Sequence, residues 1–286
     1  MMRVAELHIY PLKSARGIAL QASHAGPEGL AWDRRWMLVD RAGRFVTQRG
    51  YPSLSQVSVE LQVVDESSAT LVVAVPIKRG VIASQPGERV VQVPARGGTR
   101  VSVEIWGEHV AADAVSADAD KLISEYLDEE VRIVAFPCDV TRPCDPTYAA
   151  PADRVAFADG FPYLVTTTAS REAVSDEVGV DLPMLRFRPN IVIDGAEAWD
   201  EDEWAELTIG GRRVRIVKPC GRCAMVNVDP ARGTTGREPL RTLNQSRRFG
   251  NKVIFGQNAV FDDFGTVTVG DPVVVATRVT SPANKG

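Results

Sequence analysis

"SVELQVVDESSATLVVAV", residues 58–75, decides the fold class. It holds two Val-rich runs, 58–64 and 69–75, separated by the polar residues 65–68. Short β-branched runs with alternating character, bounded by turn formers, read as strands at close spacing. The same signature appears in "VAELHIY" at 4–10, "VVQV" at 90–93 and "RVSVEIW" at 100–106. Gly26-Pro27-Glu28-Gly29, Asp40-Arg41-Ala42-Gly43 and Arg96-Gly97-Gly98-Thr99 punctuate these runs. That is the pattern of a β-barrel or sandwich and not of βαβ units.

A break follows. In "SADADKLISEYLDEE", 116–130, Ser116 is placed to cap a helix, and Ala119, Leu122, Ile123, Tyr126 and Leu127 fall on one helical face. The Pro-rich "FPCDVTRPCDPTYAAPAD", 136–153, reads as a long loop of the kind that often covers a site. Beyond it, 169–178 reads as a short helix, while "NIVIDG", "ELTIGGRRVRIVK", "NKVIFGQNAVF" and "GTVTVGDPVVVAT" read as strands joined by Gly turns. "ARGTTGREPLRTLNQSRRFGNK", 231–252, is basic and without clear periodicity, and is expected to be a flexible flap. The expectation is a mainly β protein with a few helices, α+β in class, built as two β modules.

The chain of 286 residues is 44% hydrophobic and 24% charged, an ordinary globular balance, with a formal charge of −4. Such a charge gives no global positive field, so nucleic acid and anionic membrane surfaces are not expected partners. No secretory signal and no long apolar run is present, which points to a cytoplasmic protein. Four cysteines in a reducing compartment are expected unpaired or metal-bound.

"VKPCGRCAMVNVDP", 217–230, sets Cys220 and Cys223 in a C-x-x-C. Three chemistries compete for it. Structural zinc would recruit Cys138 and Cys144, whose spacing is wider than usual for paired ligands. A redox dithiol belongs at a helix N-terminus, whereas here extended chain is expected to continue into a turn. A softer metal held by a single thiolate is the third. His8, His24 and His109 are scattered and read as strand or loop residues. Phosphate-loop, dinucleotide and nucleophile-elbow motifs are missing.

Eight ordered stretches carry a resemblance: "IYPLKSARG" at 9–17, "WDRRWMLVD" at 32–40, "ADGFPYLVTTTAS" at 158–170, "FRPNIVIDG" at 187–195, "CGRCAMVNVDPARG" at 220–233, "EPLRTL" at 238–243, "FGQNAVF" at 255–261 and "GTVTVGDPV" at 265–273. The chain resembles MOSC-domain proteins that carry a MOSC N-terminal β-barrel domain, as the mitochondrial amidoxime-reducing components and their bacterial relatives do. On that resemblance residues 1–118 form an N-terminal β-barrel domain, 119–133 a helical connection, 134–278 the MOSC β-barrel domain and 279–286 a flexible tail.

The resemblance implies a molybdenum cofactor, whose dithiolene leaves one position for a protein thiolate, and Cys223 is the matching ligand. Lys13, Ser14, Arg34, Arg188 and Asn190 match the anchors of the cofactor and its phosphate, Arg222 lies between the cysteines, and Asp159 matches an acidic residue near the metal that is implied to relay protons. At Gly160-Phe161 and Val226-Asn227 relatives carry small hydroxyl residues. The implied activity is reduction of N-hydroxylated compounds with electrons from an external donor protein, a reductase or ferredoxin. Four cysteines do not suffice for this ligand and an intrinsic iron-sulfur cluster as well. Two alternatives remain: a carrier or sulfur-handling MOSC module without redox turnover, for which no pyridoxal phosphate lysine is identified, and a binding protein stabilised by zinc.

Overall fold

The computed structural model describes residues 1–65, 68–76 and 88–280. Residues 281–286 of the expected tail lie outside the described residues. The protein is mostly strand with three α-helices among the described residues, as its runs of alternating residues predict. No sheet closes on itself into a barrel among the described pairings. Nor is any described helix long and apolar enough to cross a membrane.

The opening stretch forms strands Ser58–Asp65 and Ser68–Pro76, which pair antiparallel, and Glu88–Pro94 joins the second of them. A four-stranded sheet, in the order Trp36–Asp40, Val131–Ala135, Glu108–Ala114, Thr99–Ile105, lies beside it. Helix Ala117–Leu127 is capped by the Ser116 side chain, which accepts from the Ala119 N–H. Its five expected core residues are all buried, against Leu71, Val73, Val93 and Ile133. Each such side chain contributes about 1.5–3 kcal/mol through removal of apolar surface from water.

The largest sheet runs Ile18–Leu20, Arg3–Ile9, Ile191–Asp194, Tyr163–Thr167, Lys252–Phe261, Arg212–Gly221, Trp204–Ile209, Val273–Arg278. Its first two strands come from the start of the chain and the rest from its second half. In Ile191–Asp194, Ile191 and Ile193 enter one core while Val192 enters the other. A strand covered on both faces has no polar side, which explains its continuous apolar run. Gly256, at φ +75°, interrupts the long strand, and a Cβ there would sit 2.9 Å from the Val165 carbonyl oxygen. The interruption reverses side-chain alternation: Phe255 packs with Phe187 and Val226, whereas Ala259 and Phe261 pack on the opposite face.

Two local expectations are corrected. The stretch 231–252 holds helix Leu240–Ser246 with Leu243 fully buried, so it is seated on the core and is not a free flap. The chain after Cys223 does not continue extended: Ala224–Asn227 is a 3₁₀ turn that begins directly after the cysteine.

Candidate functional site

Four turns meet at one end of the large sheet. The first follows strand Arg3–Ile9, where Leu12 bridges to Trp36 and the Lys13 N–H donates to the Trp36 carbonyl at 2.8 Å. The second, before strand Trp36–Asp40, carries Arg34. The third joins Met184–Arg186 to Ile191–Asp194 and carries Arg188 and Asn190. The fourth ends strand Arg212–Gly221 and carries the two cysteines. One cavity is lined by Lys13, Ser14, Arg34, Asp159, Arg188, Asn190, Arg222 and Cys223. The residues that the resemblance implies for the cofactor site are therefore brought together, and Cys220 lines the same cavity.

Ser14, Arg34 and Arg188 have φ of 70°, 49° and 57°, in the left-handed region that non-glycine residues seldom occupy. The surrounding contacts hold them there. Arg34 donates to Asp33, to Asn190 Oδ1 at 3.1 Å and to the Arg188 carbonyl at 3.2 Å. Arg188 donates to the Ala15 carbonyl at 2.8 Å. Both guanidiniums lie over the Tyr10 ring, 4.3 Å and 4.1 Å from its centre. The quadrupole of the ring attracts both cations. Gly17 makes room for it, because a Cβ at that position would meet the ring at 2.5 Å. Burial pulls the Arg188 guanidinium down to about 10, still far enough above neutrality to remain charged.

Asn190 is the junction of the site. It accepts from Arg34 and from the Leu164 N–H at 3.2 Å and donates to the His8 carbonyl at 3.1 Å, tying three strands and a cation together. Lys13 is buried, donates to the Phe157 carbonyl at 2.8 Å and pairs with Asp159. Burial lowers the affinity of its amine for a proton, and the Asp159 charge opposes that shift only in part. Crowding by protein disfavours charge on the Asp159 carboxyl, yet Lys13, Arg49 and Arg34 outweigh it and hold the group well below the ordinary carboxylate range. Arg142, buried in the expected covering loop, donates to the carbonyls of Ala156 and Ala158 and fixes the approach to Asp159.

Each sulfur has a guanidinium against it. Arg222 donates to Cys220 Sγ at 3.2 Å and to the Phe187 carbonyl at 2.6 Å, and Arg49 donates to Cys223 Sγ at 3.4 Å. Cys223 is exposed and Cys220 half-buried. Cys144, by contrast, is buried against Val155, Ala158 and Phe161, and burial pushes its thiol up to about 12. Among the described residues no three His, Cys, Asp or Glu side chains are grouped for a metal ion, so the four cysteines do not assemble the zinc site considered above. Of the two residue pairs singled out in the sequence, Gly160 and Phe161 line the cavity, whereas Val226 is core and Asn227 accepts from the Leu240 N–H at 2.9 Å.

Sequence reasoning missed Arg49 and Trp106. Arg49 stands in "VTQRG", 46–50, outside the family's motifs, and approaches the thiol only through tertiary folding. Trp106 donates to Asp159 Oδ1 at 3.4 Å and carries Arg49 over its ring at 4.7 Å. The signal for it was a large aromatic directly before Gly107 at a strand end.

The family model for the MOSC domain matches residues 152–274, and that for the MOSC N-terminal beta barrel domain matches residues 1–130. Human mitochondrial amidoxime-reducing component 1 is 31% identical, over 94% of this chain and 82% of its own length. Human mitochondrial amidoxime reducing component 2 is 29% identical with the same coverage, and the Xenopus laevis component 1 is 28% identical over 96% of this chain and 82% of its own. With both domain models matched in order and a relative this similar along nearly its whole length, the chain belongs to the MOSC-domain family in which the mitochondrial amidoxime-reducing components are found.

Proposed function

We propose that the protein is a molybdenum-cofactor-dependent reductase of N-hydroxylated compounds, working in the cytoplasm with electrons from a separate donor protein. One observation carries this: an exposed thiol, Cys223, shares a cavity with a fixed set of cations, Lys13, Arg34, Arg188 and Arg222. When bound, the cofactor supplies a metal able to change oxidation state by two and a dithiolene that leaves one sulfur position for the protein.

The residues present fit such a group. The Ser14 hydroxyl and Arg222 Nε are buried with no hydrogen-bond partner among the described residues. Buried polar atoms are seldom left unpaired, so these two suit an anionic ligand. Arg34, Arg188 and Lys13, in fixed geometry beside Asn190, would hold its phosphate. The cavity, about 130 Å³, has room for only a few waters. A pterin needs more, and the side chain of Arg49, whose contact with Cys223 Sγ is exposed, is the one that would have to move aside.

Conversion of an amidoxime to an amidine takes up two electrons and two protons and releases water. Asp159 is held ionised by the cations beside it, so it orients the substrate as a hydrogen-bond acceptor. Protein made in a cofactor-producing host is expected to carry stoichiometric molybdenum by elemental analysis. Cys223→Ala is expected to lose the metal and Cys220→Ala to retain it. Metal that depends on Cys220 instead would overturn the ligand assignment. Tight cofactor binding without amidoxime reduction by reduced methyl viologen would make the protein a carrier.

A further inference from the structure

Strands Thr99–Ile105 and Glu108–Ala114 are joined by Trp106 and Gly107 alone, with Ile105 paired to Glu108. Both linking residues have positive φ, 54° at Trp106 and 85° at Gly107. Two-residue hairpins of this kind favour Asn-Gly or Asp-Gly, because a residue with a bulky side chain is strained in the left-handed region. A tryptophan there is costly twice over, since its side chain is also left 51% exposed. Local folding thus opposes this residue at this position, and such outliers gather at working sites.

The turn places the indole at the mouth of the thiol cavity. Its N–H donates to Asp159 Oδ1 at 3.4 Å, Arg49 lies over the ring at 4.7 Å, and the Phe45 ring leans on it at 5.0 Å. Asp159 is the carboxylate that Lys13 holds ionised, with 59% of its side chain open, and Arg49 is the residue that donates to Cys223 Sγ. A flat apolar surface, a fixed acceptor and the thiol are therefore adjacent.

We propose that Trp106 is the specificity-determining platform of the reaction, and that it selects N-hydroxyamidines conjugated to an aromatic ring. This rests on the reductase reading above. An amidoxime is planar, and conjugation extends that plane into the aryl ring, which stacks on the open part of the indole. Its N–H and O–H groups point at the Asp159 carboxylate. The amidine product is a cation, which the same carboxylate pairs with until it leaves. A compact aliphatic amidoxime offers the carboxylate the same donors but gives the indole little to cover.

The test uses cofactor-loaded protein, reduced methyl viologen as donor, and two substrates, benzamidoxime and acetamidoxime. Trp106→Asn removes the ring and supplies a residue that suits the turn, so the hairpin is expected to persist and the melting temperature not to fall. KM for benzamidoxime is expected to rise about tenfold, the value of a well-placed aromatic pair, with kcat nearly unchanged. KM for acetamidoxime, which loses only the indole N–H that steadies Asp159, is expected to change much less, and KM for benzamidoxime in Trp106→Phe to fall between the two proteins. Equal KM changes for both substrates, or a loss confined to kcat, would refute the platform. If loaded wild-type protein reduces neither substrate, the reductase reading fails by itself. The platform is then judged by calorimetry: benzamidoxime binding that weakens in Trp106→Asn supports it, and binding that is absent or unchanged sinks it.

Discussion

Glu201 has no exposed surface, and among the described residues only one of its two carboxyl oxygens has partners, the hydroxyls of Thr167 at 3.0 Å and Ser170 at 2.8 Å. Burial, helped by the neighbouring Asp202 charge, raises its pKa from 4.5 to about 7. The folded protein thus holds a proton that the unfolded chain has already released across that interval. Stability must fall as pH rises from about 4.5 towards 7, by at most about 1.4 kcal/mol per pH unit. Glu201→Gln keeps an acceptor for both hydroxyls and removes the ionisation. In urea unfolding it is expected to match wild type near pH 5 and to be more stable by about 1–3 kcal/mol at pH 8. Identical pH dependence in the two proteins would mean that Glu201 ionises freely in the fold. At this scale the sequence pointed to residues that the fold brings to one cavity, as with Cys223, Arg34 and Asn190. It was silent about Arg49 and about the left-handed backbone of Ser14, Arg34 and Arg188, because both are products of packing between segments distant in the chain.

Helix Ala117–Leu127 shows what local rules do determine. Its cap and its buried face follow from side-chain chemistry and the 3.6-residue period, and both were legible. Its C-terminus is less well served: Asp128 takes the left-handed cap position at φ 57°, and its carboxylate, followed by Glu129 and Glu130, faces the negative end of the helix dipole. Asp128→Gly is expected to raise stability by about 1 kcal/mol, while Ser116→Ala is expected to lower it by about 1 kcal/mol. Opposite shifts of the urea midpoint with equal slopes would show both effects; a destabilised Asp128→Gly would show that the carboxylate has a role beyond the cap. Helix Leu240–Ser246 was not legible because seven residues with one buried leucine give no period to read. The 3₁₀ turn after Cys223 escaped for a similar reason, since the four residues "AMVN" look like extended chain until Val226 is seen in the core with Phe187 and Phe255.

For the whole molecule, the sequence indicated a mainly β chain with two stretches of strands, and strand-rich organisation follows from composition and turn spacing alone. Which strands share a sheet did not follow, because pairing between the chain's start and its second half leaves no periodic mark. Strand Arg3–Ile9 lies between Ile18–Leu20 and Ile191–Asp194, with Leu7 opposite Ile191. A chain of residues 131–286 would therefore expose the edge of Ile191–Asp194 and the apolar groups that Val4, Leu7 and Ile9 cover. It is expected to be insoluble or to lack a dispersed amide spectrum, and to recover both when 1–130 is co-expressed. A well-folded, soluble 131–286 would show that the first strand is dispensable.

The same pairing sets a timetable for biosynthesis. Leu7 leaves the ribosome about 180 residues before Ile191, which at ordinary synthesis rates is on the order of ten to forty seconds. Throughout that interval the first strand can pair on one side only, with Ile18–Leu20, and its other edge stays open. The cations around Lys13 and the thiol of Cys223 meet only when translation is nearly finished. Loading of any ligand that bridges them is consequently an event of the finished chain, after the last edge of the first strand has been covered.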